Sequence, residues 1–169
     1  VPIAHAATSV ILSNGTINAN FPGAPIKASS TATAIAKVAV TASAASKTLT
    51  SIQVNFSGTG FATSDLEALA TGTTSGVALY DDTGGTVGSF DGTDAVVTLA
   101  TSPAFSGTNI VLTPAVAPAL TSGSVVNFFV VIKTSGTATN TDQIAATIPA
   151  NGVITTDGNG PTTGLIINE

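Results

Sequence analysis

Apolar and polar positions along most of this chain alternate with a period of two rather than 3.6, which is the pattern of strands rather than helices. Between residues 32 and 42, Ala34, Ala36, Val38 and Val40 fall on one parity and Thr33, Lys37 and Thr41 on the other. Ile52, Val54 and Phe56 alternate with Gln53, Asn55 and Ser57 in the same way. Each segment predicts a strand with one buried and one wet face. Shorter runs at residues 77–80, 95–99, 110–113, 143–148 and 165–168 predict further strands, separated by Gly, Pro, Asn and Asp. Residues 125–132 read Val-Val-Asn-Phe-Phe-Val-Val-Ile, apolar on both parities, which predicts a central strand covered on both faces. The set predicts an all-β fold, an antiparallel β-sandwich of jelly-roll or immunoglobulin-like type. One segment departs from it. Ser64-Asp65-Leu66-Glu67 has the Ser-x-x-Glu spacing of a capping box, with Leu66 and Leu69 on one side, and predicts one short helix.

The start of the chain has a different texture. Its first 26 residues contain no Lys, Asp or Glu, and include the apolar run Val10-Ile11-Leu12, then Asn14-Gly15, then Ile17. Phe21-Pro22-Gly23-Ala24-Pro25 follows, and its prolines lack the amide donors a ladder needs. This punctuation divides the chain into an arm, residues 1–26, and a body, residues 27–169. About ten residues of apolar, β-prone chain outside a proline hinge are an aggregation hazard if left unpaired. Two placements are open. The arm folds back as the first strand of its own domain, turning at Asn14-Gly15. Alternatively it adds a strand to the next subunit, with Val10, Ile11, Leu12 and Ile17 as donor side chains filling pockets there. Burying three or four large apolar side chains at about 1.5–3 kcal/mol each supplies on the order of 5–10 kcal/mol gross per junction. Each subunit then both gives and receives a strand, so the contact runs head to tail and propagates as a filament unless the rotation closes a ring.

Composition narrows the chemistry. The chain has 169 residues, enough for one domain with a genuine core, and 8% of them are charged where an average soluble domain has roughly 25%. There is no Cys, Met or Trp, the four cationic residues are all Lys, and His5 is the sole imidazole. Thiol nucleophiles, zinc clusters, arginine clamps and His-based acid–base pairs therefore have no parts, and the expectation is that the chain is not an enzyme. Paired Asp residues are the one hydrolytic option, for a glycosidic bond, but one Tyr and no Trp leave no aromatic platform for sugar rings. Nine acidic residues give a net charge of −5, the wrong sign for nucleic acid. Ionised residues are absent between Asp94 and Lys133, but Pro103, Pro114 and Pro118 interrupt that stretch, so no membrane insertion is expected. The opening at Val1 is read as that of a mature chain trimmed upstream, in keeping with an extracellular, cell-surface location.

Two features suggest ligands. Asp81, Asp82, Asp91 and Asp94 gather four of the nine acids in one Gly-rich stretch, and hard carboxylate oxygens around such turns suit calcium. Ordinary turn chemistry explains the same residues, since Asp and Gly are the commonest turn formers. Asn14-Gly15-Thr16 and Asn55-Phe56-Ser57 match the N-glycosylation pattern, which predicts N-linked glycans at Asn55 and at Asn14. Asn55 has the better placement, because its side chain points away from inward Val54 and Phe56. No cofactor is otherwise required.

A Cys-free, Thr/Ala/Gly/Val-rich sandwich preceded by an apolar arm resembles the subunits of archaeal surface filaments of the thread and bundling-pilus type, and more distantly bacterial TasA-type biofilm fibres. The resemblance covers composition and layout along the whole chain. It implies donor-strand complementation, in which the N-terminal strand completes a neighbour's sheet, and so a structural subunit of an extracellular filament whose partner is another copy of itself. Asn14-Gly15 departs from that pattern, because it turns or bulges a strand that should run straight. The alternative is a non-polymerising surface module, of S-layer or adhesin type, with the arm folded in cis.

Overall fold

The computed structural model describes residues 9–13, 31–42, 47–69, 73–139, 142, 144–160 and 165–168; for 9–13, 145 and 165–168 it describes the backbone. His5, Asn14, Ile17 and the proline segment at 21–25 lie outside these residues.

The fold is an antiparallel β-sandwich. Among the described residues twelve strands run in chain order: β1 (Ser9–Ser13), β2 (Thr33–Thr41), β3 (Lys47–Ser57), β4 (Val77–Asp81), β5 (Ala95–Val96), β6 (Asn109–Leu112), β7 (Ala119–Leu120), β8 (Val125–Ile132), β9 (Ala145–Ile148), β10 (Val153–Thr155), β11 (Asn159–Gly160) and β12 (Leu165–Asn168). One sheet has the order β1-β2-β8-β4-β5. The other is built around β3, the longest strand. Ile52 pairs with Val153 on one side and Leu112 on the other, and Asn55 with Thr147 and Asn109, so β9 and β10 share one flank of β3 while β6 and β7 share the opposite one. Each flank is one strand interrupted by a short excursion. Between β9 and β10 the excursion closes where Gly152 N–H donates to the Pro149 carbonyl at 2.9 Å, with Asn151 at φ 58°.

Facing residues of the two sheets make the core: Ile35, Val38, Val40, Leu79, Phe128, Val130 and Ile132 from one, Leu49, Ile52, Val54, Phe56, Ile110, Leu112 and Ile148 from the other. The central strand β8 covers both of its faces, as its unbroken apolar run requires. Phe128, Val130 and Ile132 point into the sandwich, and Phe129 and Val131 are equally buried in a second cluster on the outer side with Ala34. Ala32, Tyr80 and Phe90 pack over that second cluster. Strand β2 explains why Ala34 belongs to it, whereas period-two reading put Ala34 inward. The register shifts between Ala34 and Ala36, a bulge that turns both Ile35 and Ala36 into the core and throws Ala34 to the other face.

Two further differences have local causes. The helix expected at Ser64 is a single 3₁₀ turn, Thr63–Asp65, because the carboxylate that reaches back is that of Asp65, which accepts from Ala62 N–H at 2.6 Å. Glu67 instead pairs with Lys133, and Leu66 has extended φ and ψ and bridges to Thr134. The short ladders β7, β10 and β11 are set by their pairing partners rather than by their own two or three residues.

Because both faces of β8 are buried, Val131→Ala on the outer side should destabilise by about 2 kcal/mol, as an inward Val→Ala does. Urea unfolding measures it; a loss below about 0.5 kcal/mol, usual for an exposed position, would contradict the covered outer face.

Candidate functional site

The cover over the outer face of β8 is the acidic stretch itself. From Asp81 at the end of β4 the chain leaves the sheet, crosses the face of β8 and β2, and returns as β5, where Ala95 pairs with Asp81 and Val96 with Tyr80. Phe90 anchors the crossing: its ring meets Tyr80 edge-on at a centroid distance of 5.1 Å and Phe129 at 5.7 Å. Lys37, the one charged residue of β2, donates from Nζ to the Gly88 carbonyl at 3.1 Å. Asn127, the one polar residue in the apolar run of β8, donates from Nδ2 to Asp82 Oδ2 at 2.8 Å. Sequence reasoning passed over both. Their signal is that Lys37 is the lone charged side chain of β2 and Asn127 the lone polar one of β8, and a polar group held in a sheet covered on both faces demands a partner.

Three of the four carboxylates, those of Asp82, Asp91 and Asp94, hold the crossing together from within. Asp91 accepts at Oδ2 from Thr86 N–H (3.0 Å) and at Oδ1 from the Thr93 amide (2.8 Å) and hydroxyl (2.6 Å). Those donors, the Thr93 hydroxyl first, hold its pKa below the usual carboxylate value. Gly85 sits at φ +57° against this carboxylate, and a Cβ there would run into it. Asp94 Oδ2 accepts from Asp91 N–H at 2.7 Å, and Asp82 Oδ2 accepts from Gly88 N–H at 2.6 Å as well as from Asn127.

The arrangement leaves uncompensated negative charge. Asp81 is pushed above the ordinary carboxylate pKa by burial and then by the charges of Asp82 and Asp94, and Asp94 is raised by burial and by the charges of Asp91 and Asp82, against the opposing backbone hydrogen bonds of Asp91 and Thr83. Both ion pairs found among the described residues lie elsewhere, at Lys47–Asp157 (3.1 Å) and Lys133–Glu67. Oδ1 of Asp82 and Oδ1 of Asp94 are buried with no hydrogen-bond partner. A cavity of about 450 Å³ opens beside this loop, lined by Thr31, Ala32, Tyr80, Phe90, Asp91, Gly92 and Asp94 but not by Asp82. Among the described residues no three acidic or imidazole side chains converge as a ready-made metal cage. The fourfold calcium set expected from the sequence therefore divides: the Asp91 carboxylate is taken up by loop donors, while Asp82 and Asp94 each keep a free oxygen. What the site can do chemically is attract a cation.

The other expected residues lie apart from this loop. Val10, Ile11 and Leu12 are in β1, which pairs antiparallel with β2 of the same chain, Val10 opposite Val40, Ile11 opposite Ala39 and Leu12 opposite Val38. Asn55 is half-buried on the face of β3 opposite to Val54 and Phe56, and its Oδ1 accepts from Gln53 Nε2 at 3.1 Å. Comparison with protein-family models gives no match, and comparison with curated proteins gives none either.

Phe90→Ala should lower stability by about 2 kcal/mol and the melting temperature by roughly 4–8 °C, because it uncovers Phe129 and Val131 together. An unchanged melting curve by circular dichroism would contradict the role of residues 82–94 as a cover.

Proposed function

We propose that this chain is a structural subunit of an extracellular surface filament, in which β1 is exchanged between neighbouring copies and each subunit receives the strand of the one before it. The observation that carries this reading is the pairing of β1. It seals the outer edge of β2, a nine-residue strand, through five registered residue pairs from Ser9↔Thr41 to Ser13↔Lys37. A strand edge left without a partner is a template for another chain. An isolated chain can close this ladder only on itself, yet an identical β1 from a second copy makes the same bonds in the same register.

Chain length permits the exchange. Residues 14–32 join β1 to β2 and can span up to about 60 Å when extended. A body of this size has a radius of gyration of about 15 Å, so the connection reaches across a neighbour. The surface also suits close packing of copies. No ionised side chain occurs from residue 95 to 132, and Val116 and Val125 are exposed within that stretch, so subunits can meet there without stripping water from charges. The resemblance of layout and composition to archaeal threads and bundling pili supports the same reading, which carries with it the expectation of an N-linked glycan at Asn55 on the face of β3 opposite Val54 and Phe56.

The observed pairing of β1 with its own β2 favours a second reading directly: a non-polymerising surface module whose first strand stays at home. A paired substitution separates the two. The chain has no cysteine, so Ile11→Cys with Ala39→Cys introduces the only thiols, at positions opposite each other in the β1–β2 ladder. Strand exchange predicts a ladder of covalent oligomers on a non-reducing gel after mild oxidation of assembled material. A single crosslinked monomer band from that material would establish the home-folded module instead. An intact mass of the native secreted chain above 16.4 kDa is the expected result for glycosylation, with the excess lost in Asn55→Gln.

A further inference from the structure

We infer that β1 pairs edge to edge with β1 of a second copy, antiparallel and across a two-fold axis centred on Ile11. The side of β1 turned away from β2 makes this contact, so the pairing is the same whichever copy supplies the strand. In its sheet β1 is the last strand. Among the described residues it shares a ladder with β2 alone, and β11 of the second sheet comes near it without joining that ladder. In an antiparallel ladder every second residue directs its N–H and C=O away from the neighbour already bound, so the far side of β1 carries its own row of donors and acceptors. Such an edge is a template for another chain unless lysine, proline, a bulge or a covering element blunts it. Ser9-Val10-Ile11-Leu12-Ser13 contains neither lysine nor proline, and it meets β2 in five consecutive pairs without a register shift.

The order of residues in β1 suits a copy of itself. Read outward from Ile11, the strand meets an aliphatic residue on each side and then a serine on each side. Antiparallel pairing centred on Ile11 therefore sets Ile11 against Ile11, Val10 against Leu12 and Ser9 against Ser13, apolar against apolar and serine against serine. A slip of one residue either way sets Ser9 against Leu12 or Ser13 against Val10, which penalises the alternatives. This is the self-complementarity that a two-fold contact requires. Charge points the same way. Copies with a net charge of −5 repel one another, but the first 26 residues contain no Lys, Asp or Glu, so β1 edges meet without opposing like charges. Size sets how the contact is used. Five residues from each copy bury well below the roughly 1,200 Å² of a standard stable interface, so a single pair is weak. A two-fold contact uses each edge once and closes. In a strand-exchanged fibre every subunit keeps one β1 margin, and contacts repeated along two fibres add as a multivalent seam. That lateral use rests on the fibre reading, whereas the pair itself does not.

The chain has no cysteine, so Ile11→Cys alone places one thiol on the two-fold axis, opposite its own counterpart. The full-length variant, oxidised at about 1 mM, where even a contact with a Kd near 1 mM is substantially formed, should give a covalent dimer and nothing larger on a non-reducing gel. Val10→Cys is the register control. Position 10 stands opposite Leu12 of the second copy, and the two positions 10 lie two residues apart along the seam. Their Cα atoms are then more than about 7 Å apart, too far to bridge, so the dimer yield should fall roughly tenfold. Strand exchange contributes no band from either variant, because the residues opposite Ile11 and Val10 in β2 are Ala39 and Val40. A failure here therefore leaves the exchange reading standing, and the oligomer ladder of the doubly substituted chain tests that reading separately. Ser9→Cys with Ser13→Cys, which spares the apolar centre, should give the same dimer through two bridges. Circular dichroism identifies a variant that misfolds. Equal dimer yields from Ile11→Cys and Val10→Cys, or no dimer from the natively folded member of Ile11→Cys and the paired serine variant, would overturn the inference.

Discussion

A strand that is apolar on both faces has to be covered twice. Strand β8 imposes that condition on this molecule, since Phe128, Val130 and Ile132 on one side and Phe129 and Val131 on the other are all fully buried. The inner side is met by the second sheet, stacked around β3. Among the described residues the outer side has no second layer of sheet or helix, and the chain meets it with residues 82–94, pinned by Phe90 and by the polar contacts of Lys37 and Asn127. The acidic character of that cover follows from its turns, which need carboxylates to satisfy amides that no ladder reaches. Crowded Asp residues are thus a consequence of closing an apolar face with a loop.

The same sheet has a problem at its other margin. Strand β2 is flanked by β8 on one side and by β1 on the other, and β1 is held by backbone pairing to one neighbour. With few charges anywhere on the chain, the usual defence of strand edges by lysine or by inward-pointing charge is largely missing. The edge is therefore protected by a strand or by nothing, and the source of that strand determines whether the molecule is a solitary module or a link in a fibre. A polymer built this way needs no catalytic group and no specialised interface beyond the ladder that already stabilises one subunit.

Much of this was legible in the sequence where the physical cause is local. The run at residues 125–132, apolar at every position but Asn127, yields both the bounds of β8 and its double burial, and the alternation at 52–57 correctly orients Ile52, Val54 and Phe56 inward. Legibility fails where the cause is tertiary. The first half of β3, Lys47-Thr48-Leu49-Thr50-Ser51, is too polar to stand out and is held by β7 and β10 from either side. The bulge at Ile35 shifts parity without a glycine to announce it. At Ser64 the pattern points to Glu67 closing on the Ser64 amide, but Asp65 closes on the Ala62 amide instead, while Glu67 pairs with Lys133, and only one turn forms. In the candidate site the four acids are visible as composition. Their division into Asp91, fully engaged, and Asp82 and Asp94, each with a free oxygen, depends on partners contributed by β8 and by the crossing itself.

The claim on which the functional account depends is that the strand lying against β2 belongs to another copy when the protein is assembled. Electron cryomicroscopy of the native surface material, at a resolution that traces the backbone, tests it most directly. The account predicts fibres with a regular repeat in which the density beside Val38, Ala39 and Val40 runs continuously into the neighbouring subunit. Discrete particles, or fibres in which that density returns through residues 14–32 to the same sandwich, would contradict it.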